Sequence, residues 1–287
     1  MKRRALLGAL GALGLSCRRS SVSARAGRLV SLTPAITETV LALGGAAQLV
    51  GVSNYCVLPE TLKLPRLGSS LTPSFEAIAG LRPSLILCDD SAGAKRRELA
   101  AIASCEVLPW LTLPEVVGST RRIGQVLGRA AVGNALAERL NNRLSRQPPA
   151  GASRVLLLLS YDPDRPAEIW FIRQNSLHGA ALAAAGARNA VAHDVPGLPR
   201  LGVEQLIELD PDDVLIIPPP GATLELKKRM LTAFNALAPL RAVKEGKVGI
   251  VNGASQSVGP SILTLSDALS AMLQKMAGPR PVSGFVE

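Results

Sequence analysis

The sequence predicts an α/β protein of two lobes, each built on a mainly parallel sheet, joined by one long α-helix with a ligand cleft between the lobes. Three observations carry that prediction. Short apolar runs alternate with helical segments along the chain, one long helical stretch interrupts the alternation midway, and a motif that leads into a strand occurs twice. With 287 residues, 47% hydrophobic and 19% charged, the chain has enough apolar surface to bury cores of this kind.

The first 17 residues, "MKRRALLGALGALGLSC", have a basic start (Lys2, Arg3, Arg4) and an apolar run from Ala5 to Leu15 too short to cross a bilayer, which reads as an export signal. Ser16-Cys17 resembles a bacterial lipoprotein cleavage site, with Cys17 as the lipid-bearing first residue; Gly14 departs from the usual Leu, and plain export of a soluble product or an ordinary N-terminal helix are the other readings. Residues 18–27 read as a linker. An N-terminal lobe follows over 28–112, with strands at 28–32, 48–52, 84–88 and 106–110 and helices at 34–43, 73–80 and 92–103. At the first strand–helix junction Thr33 suits the cap and Pro34 the first turn. Because this junction falls at the C-terminal edge of a strand, where open α/β sheets bind ligands, the helix start is also aimed at the cleft.

Residues 113–147 form the predicted linking helix. Positions 116, 120, 123, 127, 130, 137, 140 and 144 keep helical spacing, Thr112 with Glu115 fits a capping box, and Pro148-Pro149 ends the run. About 33 residues of helix make a rod of roughly 50 Å, and such a link permits only small closure of the lobes. The C-terminal lobe, 148–287, resumes the alternation with strands at 153–159, 168–172, 213–217 and 247–251 and helices at 176–185, 203–208, about 223–236 and 260–276. The repeated motif is "SFEAIAGLRPSLILC" at 74–88 and "GVEQLIELDPDDVLII" at 202–217. Glu76 matches Glu204, Leu81 matches Leu209 and Pro83 matches Pro211, which a repeated structural unit explains.

Several chemistries lack their residues. His178 and His193 have no partners at metal-ligand spacing, and the glycine-rich phosphate loops and the G-x-S-x-G elbow are missing. Ser176 in "NSLHG" reads as an N-cap, Asp89-Asp90 as turn formers or caps at a strand's C-terminal edge, and Asp212-Asp213 as structural. Of the formal charge of +10, Lys2, Arg3 and Arg4 supply three, leaving +7 beyond the signal. Its basic groups are short and lack interleaved aromatics, so nucleic acid is not an expected partner. Past Cys17 there are Cys56, Cys88 and Cys105. Cys88 and Cys105 are expected at opposite ends of neighbouring strands and Cys56 and Cys88, which both end strands, could meet, but the favoured reading of all three is small buried or half-buried thiols. Aromatics make up only 3% of the chain, yet Tyr55, Trp110 and Tyr161 fall near C-terminal strand edges. Trp170 and Phe171 alternate faces of one strand, so together these residues offer core packing or a flat apolar ligand wall.

The segments "RLVSLTPAITETVLALG", "VGVSNYC", "PSFEAIAGLRPSLIL", "NSLHGAALAAAGARNAV" and "GVEQLIELDPDDVLII", with a "GP" opening the last helix, resemble the helix-linked substrate-binding proteins of ABC importers for vitamin B12, haem and iron chelates. The resemblance covers 28–276 and is nearest the cobalamin branch. It implies two Rossmann-like lobes and a non-enzymatic, monomeric protein without a cofactor of its own. Such a protein is held to the membrane by its lipid and delivers a small-molecule ligand to a dimeric permease with its ATPase. Under it, Thr33, Pro34, Tyr55, Asp89, Trp110, Trp170, Arg200 and Gln256 fall at ligand-binding places, and Glu76 and Glu204 match the glutamates that dock on permease arginines. Asp89-Asp90, Arg200 and Pro260-Ser261 depart from the aromatic and arginine pattern of the branch. The likeness to the cobalamin branch makes a corrinoid the expected ligand, these departures leave haem or a ferric siderophore as alternatives, and a two-lobe enzyme is the reading from another class.

Overall fold

The computed structural model describes residues 27–193, 199–237, 239–251 and 256–278; the segment expected to be an export signal, with Cys17, lies outside the described residues. The N-terminal lobe comprises β1 (Leu29–Ser31), α1 (Pro34–Ala42), β2 (Leu49–Val52), α2 (Phe75–Gly80), β3 (Leu85–Asp89), α3 (Arg96–Ile102) and β4 (Ser104–Leu108). Helices α4 (Leu113–Val126) and α5 (Ala130–Leu144) lead to the C-terminal lobe. That lobe runs β5 (Arg154–Leu159), β6 (Ile169–Trp170), α6 (Leu177–Ala184), β7 (Arg188–Asn189), β8 (Arg200–Leu201), α7 (Val203–Leu209), β9 (Asp213–Ile217), α8 (Leu224–Leu237), α9 (Arg241–Lys244), β10 (Val248–Ile250) and α10 (Ile262–Ala277).

The two main sheets are parallel throughout, with orders β2-β1-β3-β4 and β10-β9-β5-β7. Read from the opposite edge, the second is β7-β5-β9-β10, the same winding as the first, so the sequence repeat is a repeat of topology. The agreement extends to the backbone. Arg82 and Asp210, each just before the matched proline, both take a left-handed conformation, with φ of 47° and 35°. Non-glycine residues pay for that conformation with Cβ strain, so its occurrence at equivalent places marks the same tight helix exit.

Three apolar clusters build the interior. One outer cluster lies under α2 and α3 (Val30, Ile78, Ile86, Cys88, Leu99), and another lies under α7 and α8 (Leu156, Leu158, Leu206, Val214, Ile216, Phe234). The third is central and continuous across both lobes, joining Ile36, Leu87 and Leu108 of the first to Leu157, Leu215 and Leu269 of the second through Ile123, Ala137 and Leu140. Each sheet is thus covered on both faces, which is why β5 after Arg154 and β9 after Asp213 are unbroken apolar runs.

Three expectations need correction. The linking segment is two helices, not one rod: Gly128, at φ 68°, breaks it, and α5 turns back against α4. A Cβ placed on Gly124 would lie 2.7 Å from the Gly133 Cα, although nine residues of straight helix would separate these glycines by about 13 Å. Helical spacing persists through the break because both helices turn an apolar face to the same central core. Second, residues 168–172 do not supply a strand of the parallel sheet. Ile169–Trp170 pairs antiparallel with Arg200–Leu201 in a separate ribbon, and the sheet position goes to the short strand at Arg188–Asn189. Third, β4 begins at Ser104, and its register sets Cys88 opposite Val107 and Cys105 opposite Ile86, all on one face, with the Cys88 and Cys105 sulfurs 3.7 Å apart. Cys56 belongs to the central core and Cys88 to the outer cluster, on opposite faces of the sheet, so those two do not meet.

Candidate functional site

The C-terminal edges of the two sheets converge. Past the end of β4, Trp110 donates its indole N–H to the Val258 carbonyl at 3.0 Å, and the Leu111 carbonyl accepts from the backbone N–H of Leu177 at the start of α6, also at 3.0 Å. Glu38 of α1 accepts from the Ser261 backbone N–H before α10, and Arg143 of α5 pairs with Asp267 of α10. These bonds and the shared core fix the lobes to each other around the edge where ligands bind in open α/β sheets.

On the N-terminal side a buried polar chain holds the loop after β2. The Thr37 hydroxyl donates to Ser31 Oγ at 2.8 Å, and the Cys56 sulfur lies 3.1 Å from Thr37 Oγ1 and 3.2 Å from Ser53 Oγ. Arg66 donates to the carbonyls of Ser53 (3.0 Å) and Cys56 (2.6 Å), and Asn54 accepts from the Gly68 N–H. The loop is thereby braced with Tyr55 outward, 73% exposed, beside Val57 at 81%. Ser70, whose hydroxyl reaches the Leu32 carbonyl at the end of β1, sets Leu71 at the same edge with 65% exposure. Single exposed apolar side chains are ordinary, whereas grouped ones mark binding surfaces, and Tyr55, Val57 and Leu71 are grouped on the loops past the ends of β1 and β2. Val57 and Leu71 escaped sequence reasoning; the only available signal was a lone leucine within the polar run "GSSLTPS".

Thr33 occupies the N-cap of α1 in extended conformation, but its hydroxyl makes no capping bond and is buried without a partner. Pro34 stands at the first helical position, as expected. Asp89 is engaged locally, accepting from the backbone N–H of Ser91 at 3.2 Å, which is the capping role foreseen for this pair. Trp110 is 7% exposed and packed in the central core, so its ring joins the lobes and presents no open wall.

On the C-terminal side the ribbon places Trp170 directly opposite Arg200. Ile169 and Leu201 point inward, Trp170 is half-buried and Arg200 exposed, so an indole and a guanidinium stand side by side at the rim. Leu158 of β5 bridges Phe171, which ties the ribbon to the C-terminal half of the central strand. Gln256 is half-buried after β10 and reaches toward the Ile217 carbonyl at 3.5 Å. Its backbone holds His178, which lies buried in the first turn of α6 with Nε2 unpartnered; burial pushes the imidazole pKa down to about 4. Ser176 caps that helix through the Gly179 N–H, as read from the sequence.

Glu76 and Glu204 are each the second residue of a short helix, α2 and α7, each ahead of a matched strand, β3 and β9. Both are exposed, and among the described residues neither has an ion-pair partner. Among the described residues, too, no cluster of three or more His, Cys, Asp or Glu side chains is set to hold a metal, and no helix is long and apolar enough to cross a membrane.

Two topologically equivalent lobes with converging strand edges, one rimmed by outward apolar residues and the other by an indole–guanidinium pair, have the build of a two-lobe ligand-binding protein. The chain belongs to the periplasmic binding protein family, whose sequence profile matches residues 29–252. A cobalamin-binding protein of Halobacterium salinarum is 27% identical over 202 residues, covering 66% of this chain and 53% of that one, so the match spans about half the relative's length. An uncharacterized ABC transporter substrate-binding lipoprotein of Bacillus subtilis is 24% identical over 91% of this chain and 78% of its own. Among solved structures, a periplasmic heme-binding protein of Pseudomonas aeruginosa superposes with a TM-score of 0.69 at 26% identity, covering 90% of this chain and 96% of that one.

Proposed function

We propose that this protein is the extracytoplasmic binding component of an ABC importer, held at the membrane by lipid on Cys17, that captures a corrinoid between its lobes and hands it to a dimeric permease driven by its ATPase. The observation that carries the reading is the rim itself: Tyr55, Val57 and Leu71 on one lobe and Trp170 with Arg200 on the other offer apolar surface from both sides to a broad, flat ligand. The likeness to a cobalamin-binding relative supports the corrinoid. Haem is the second reading. A guanidinium beside an indole suits a flat ring bearing carboxylates, and a heme-binding protein shares the fold.

Of the sequence-derived contacts, Tyr55, Trp170 and Arg200 serve as direct ligand contacts, with Thr33, Pro34 and Gln256 supplying polar groups and the helix start at the cleft. Asp89 and Trp110 shape the site from behind, since their polar groups already have partners. Glu76 and Glu204 dock the two lobes onto the permease, a pseudo-symmetric pair of charges facing a two-fold partner. The test is titration of the Cys17→Ser chain with cyanocobalamin and with haemin, following tryptophan fluorescence. Trp170 at the rim is quenched on saturation; absence of saturable binding to either compound refutes the ligand class.

A further inference from the structure

On the outer face of the N-terminal sheet, away from the cleft, two thiols have been brought together with no role in the function above. Cys88 is fully buried and Cys105 is half-buried. They are diagonal neighbours across β3 and β4, with sulfurs 3.7 Å apart, and both are free. A disulfide is about 2.05 Å long, so closure asks for roughly 1.7 Å of approach. A diagonal pair starts with its Cα atoms farther apart than the usual disulfide separation, so side-chain rotation alone does not complete the bond. β4, however, is the edge strand of its sheet, hydrogen-bonded on one side only and half-exposed along most of its length, and it has the freedom to move toward β3.

We propose that Cys88 and Cys105 form a reversible disulfide that staples the edge strand to its neighbour when the protein meets a disulfide-bearing oxidant. The Cys105 thiolate attacks one sulfur of that oxidant, forming a mixed disulfide and expelling a thiolate. Cys88 then gives up its proton and attacks the Cys105 sulfur, expelling the second thiolate. One sulfur–sulfur bond forms in the protein, the bond in the oxidant is lost, and two electrons pass to the oxidant, which leaves as two thiols after taking up two protons. Cys105 is the attacking group on two grounds. It is the accessible one, and the hydrogen bond from Cys88, aided by the Arg96 guanidinium and opposed by burial, holds its pKa below the usual thiol value. The same bond, together with burial, pushes Cys88 up. Because the strands must be drawn together, the crosslink is of the strained kind that thiols reduce readily.

The test uses the Cys17→Ser full chain incubated with oxidised glutathione, quenched in acid, denatured and alkylated with iodoacetamide. The expected result is alkyl label on Cys56, none on Cys88 or Cys105, and a mass lower by two hydrogens before alkylation. Trypsin, cutting after Lys95, Arg96 and Arg97, then yields the Cys88 and Cys105 peptides as one species that reduction separates. Label on both Cys88 and Cys105 overturns the proposal, as does glutathione retained on Cys105 with Cys88 labelled. A Cys56→Ser chain keeps the crosslink; a bridge from either cysteine to Cys56 in the parent chain equally sinks the idea. The peptide result on the parent chain holds whether or not any variant folds.

Discussion

Replacing Gly124 with alanine separates the helical hairpin from a straight connecting rod. A methyl group at Gly124 meets the Gly133 Cα at 2.7 Å and the Arg129 carbonyl oxygen at 3.2 Å, both backbone atoms that cannot swing aside. Overpacking costs about 1–3 kcal/mol, and against backbone that cannot yield it falls in the upper part of that range, about 2–3 kcal/mol, while exchanging glycine for alanine inside a helix returns about 1 kcal/mol. A net loss of about 1–2 kcal/mol follows. Gly118 is the internal control: it lies in the same helix, is exposed, and has nothing within 4 Å of its missing Cβ. Gly118→Ala therefore gains the propensity alone, about 0.5–1 kcal/mol. Urea unfolding followed by far-ultraviolet circular dichroism reads both as midpoint shifts, downward for Gly124→Ala and upward for Gly118→Ala, with unchanged slopes. Equal stabilisation by the two substitutions would falsify the crossing at Gly124 and favour the rod.

Three further outcomes are expected. Trp170→Ala weakens ligand binding by about 2 kcal/mol, a ~30-fold rise in Kd, and Arg200→Ala weakens a carboxylate-bearing ligand more than cyanocobalamin, as isothermal titration of each variant will show. Glu76→Ala with Glu204→Ala abolishes ligand uptake into cells while Kd in solution stays unchanged; full uptake refutes the docking role. His178 is buried and neutral, with a folded pKa near 4 against an ordinary value near 6.5, so the unfolded chain binds the extra proton first. Its contribution is fully present above pH 6.5 and fades as pH falls toward 4, where it amounts to a loss of about 3 kcal/mol. A His178→Leu chain, measured by urea unfolding across that window, lacks this part of the acid sensitivity.

The alternation of apolar runs with helical segments, and the "Glu…Leu…Pro" repeat, made the two-lobe parallel architecture legible from the chain alone, because period and punctuation are local properties. The same holds for the caps at Ser176 and Asp89 and the first-turn placement of Glu76 and Glu204, each decided within a few residues of sequence. What the chain could not show depends on how distant segments register. Residues 113–147 keep helical spacing whether they run straight or fold back, and the left-handed break at Gly128 with the contact of Gly124 and Gly133 distinguishes the two. Residues 168–172 have a strand's composition in either sheet, and the partner that claims them, Arg200–Leu201, lies 30 residues on. Trp110 looked like a ligand wall by its position after a strand, yet its environment is set by Val258 from the other lobe. Cys88 and Cys105 fall at opposite ends of the runs that the sequence marks as strands, yet the pairing of β3 with β4 brings their sulfurs to 3.7 Å, because register, invisible in either strand, decides which side chains touch.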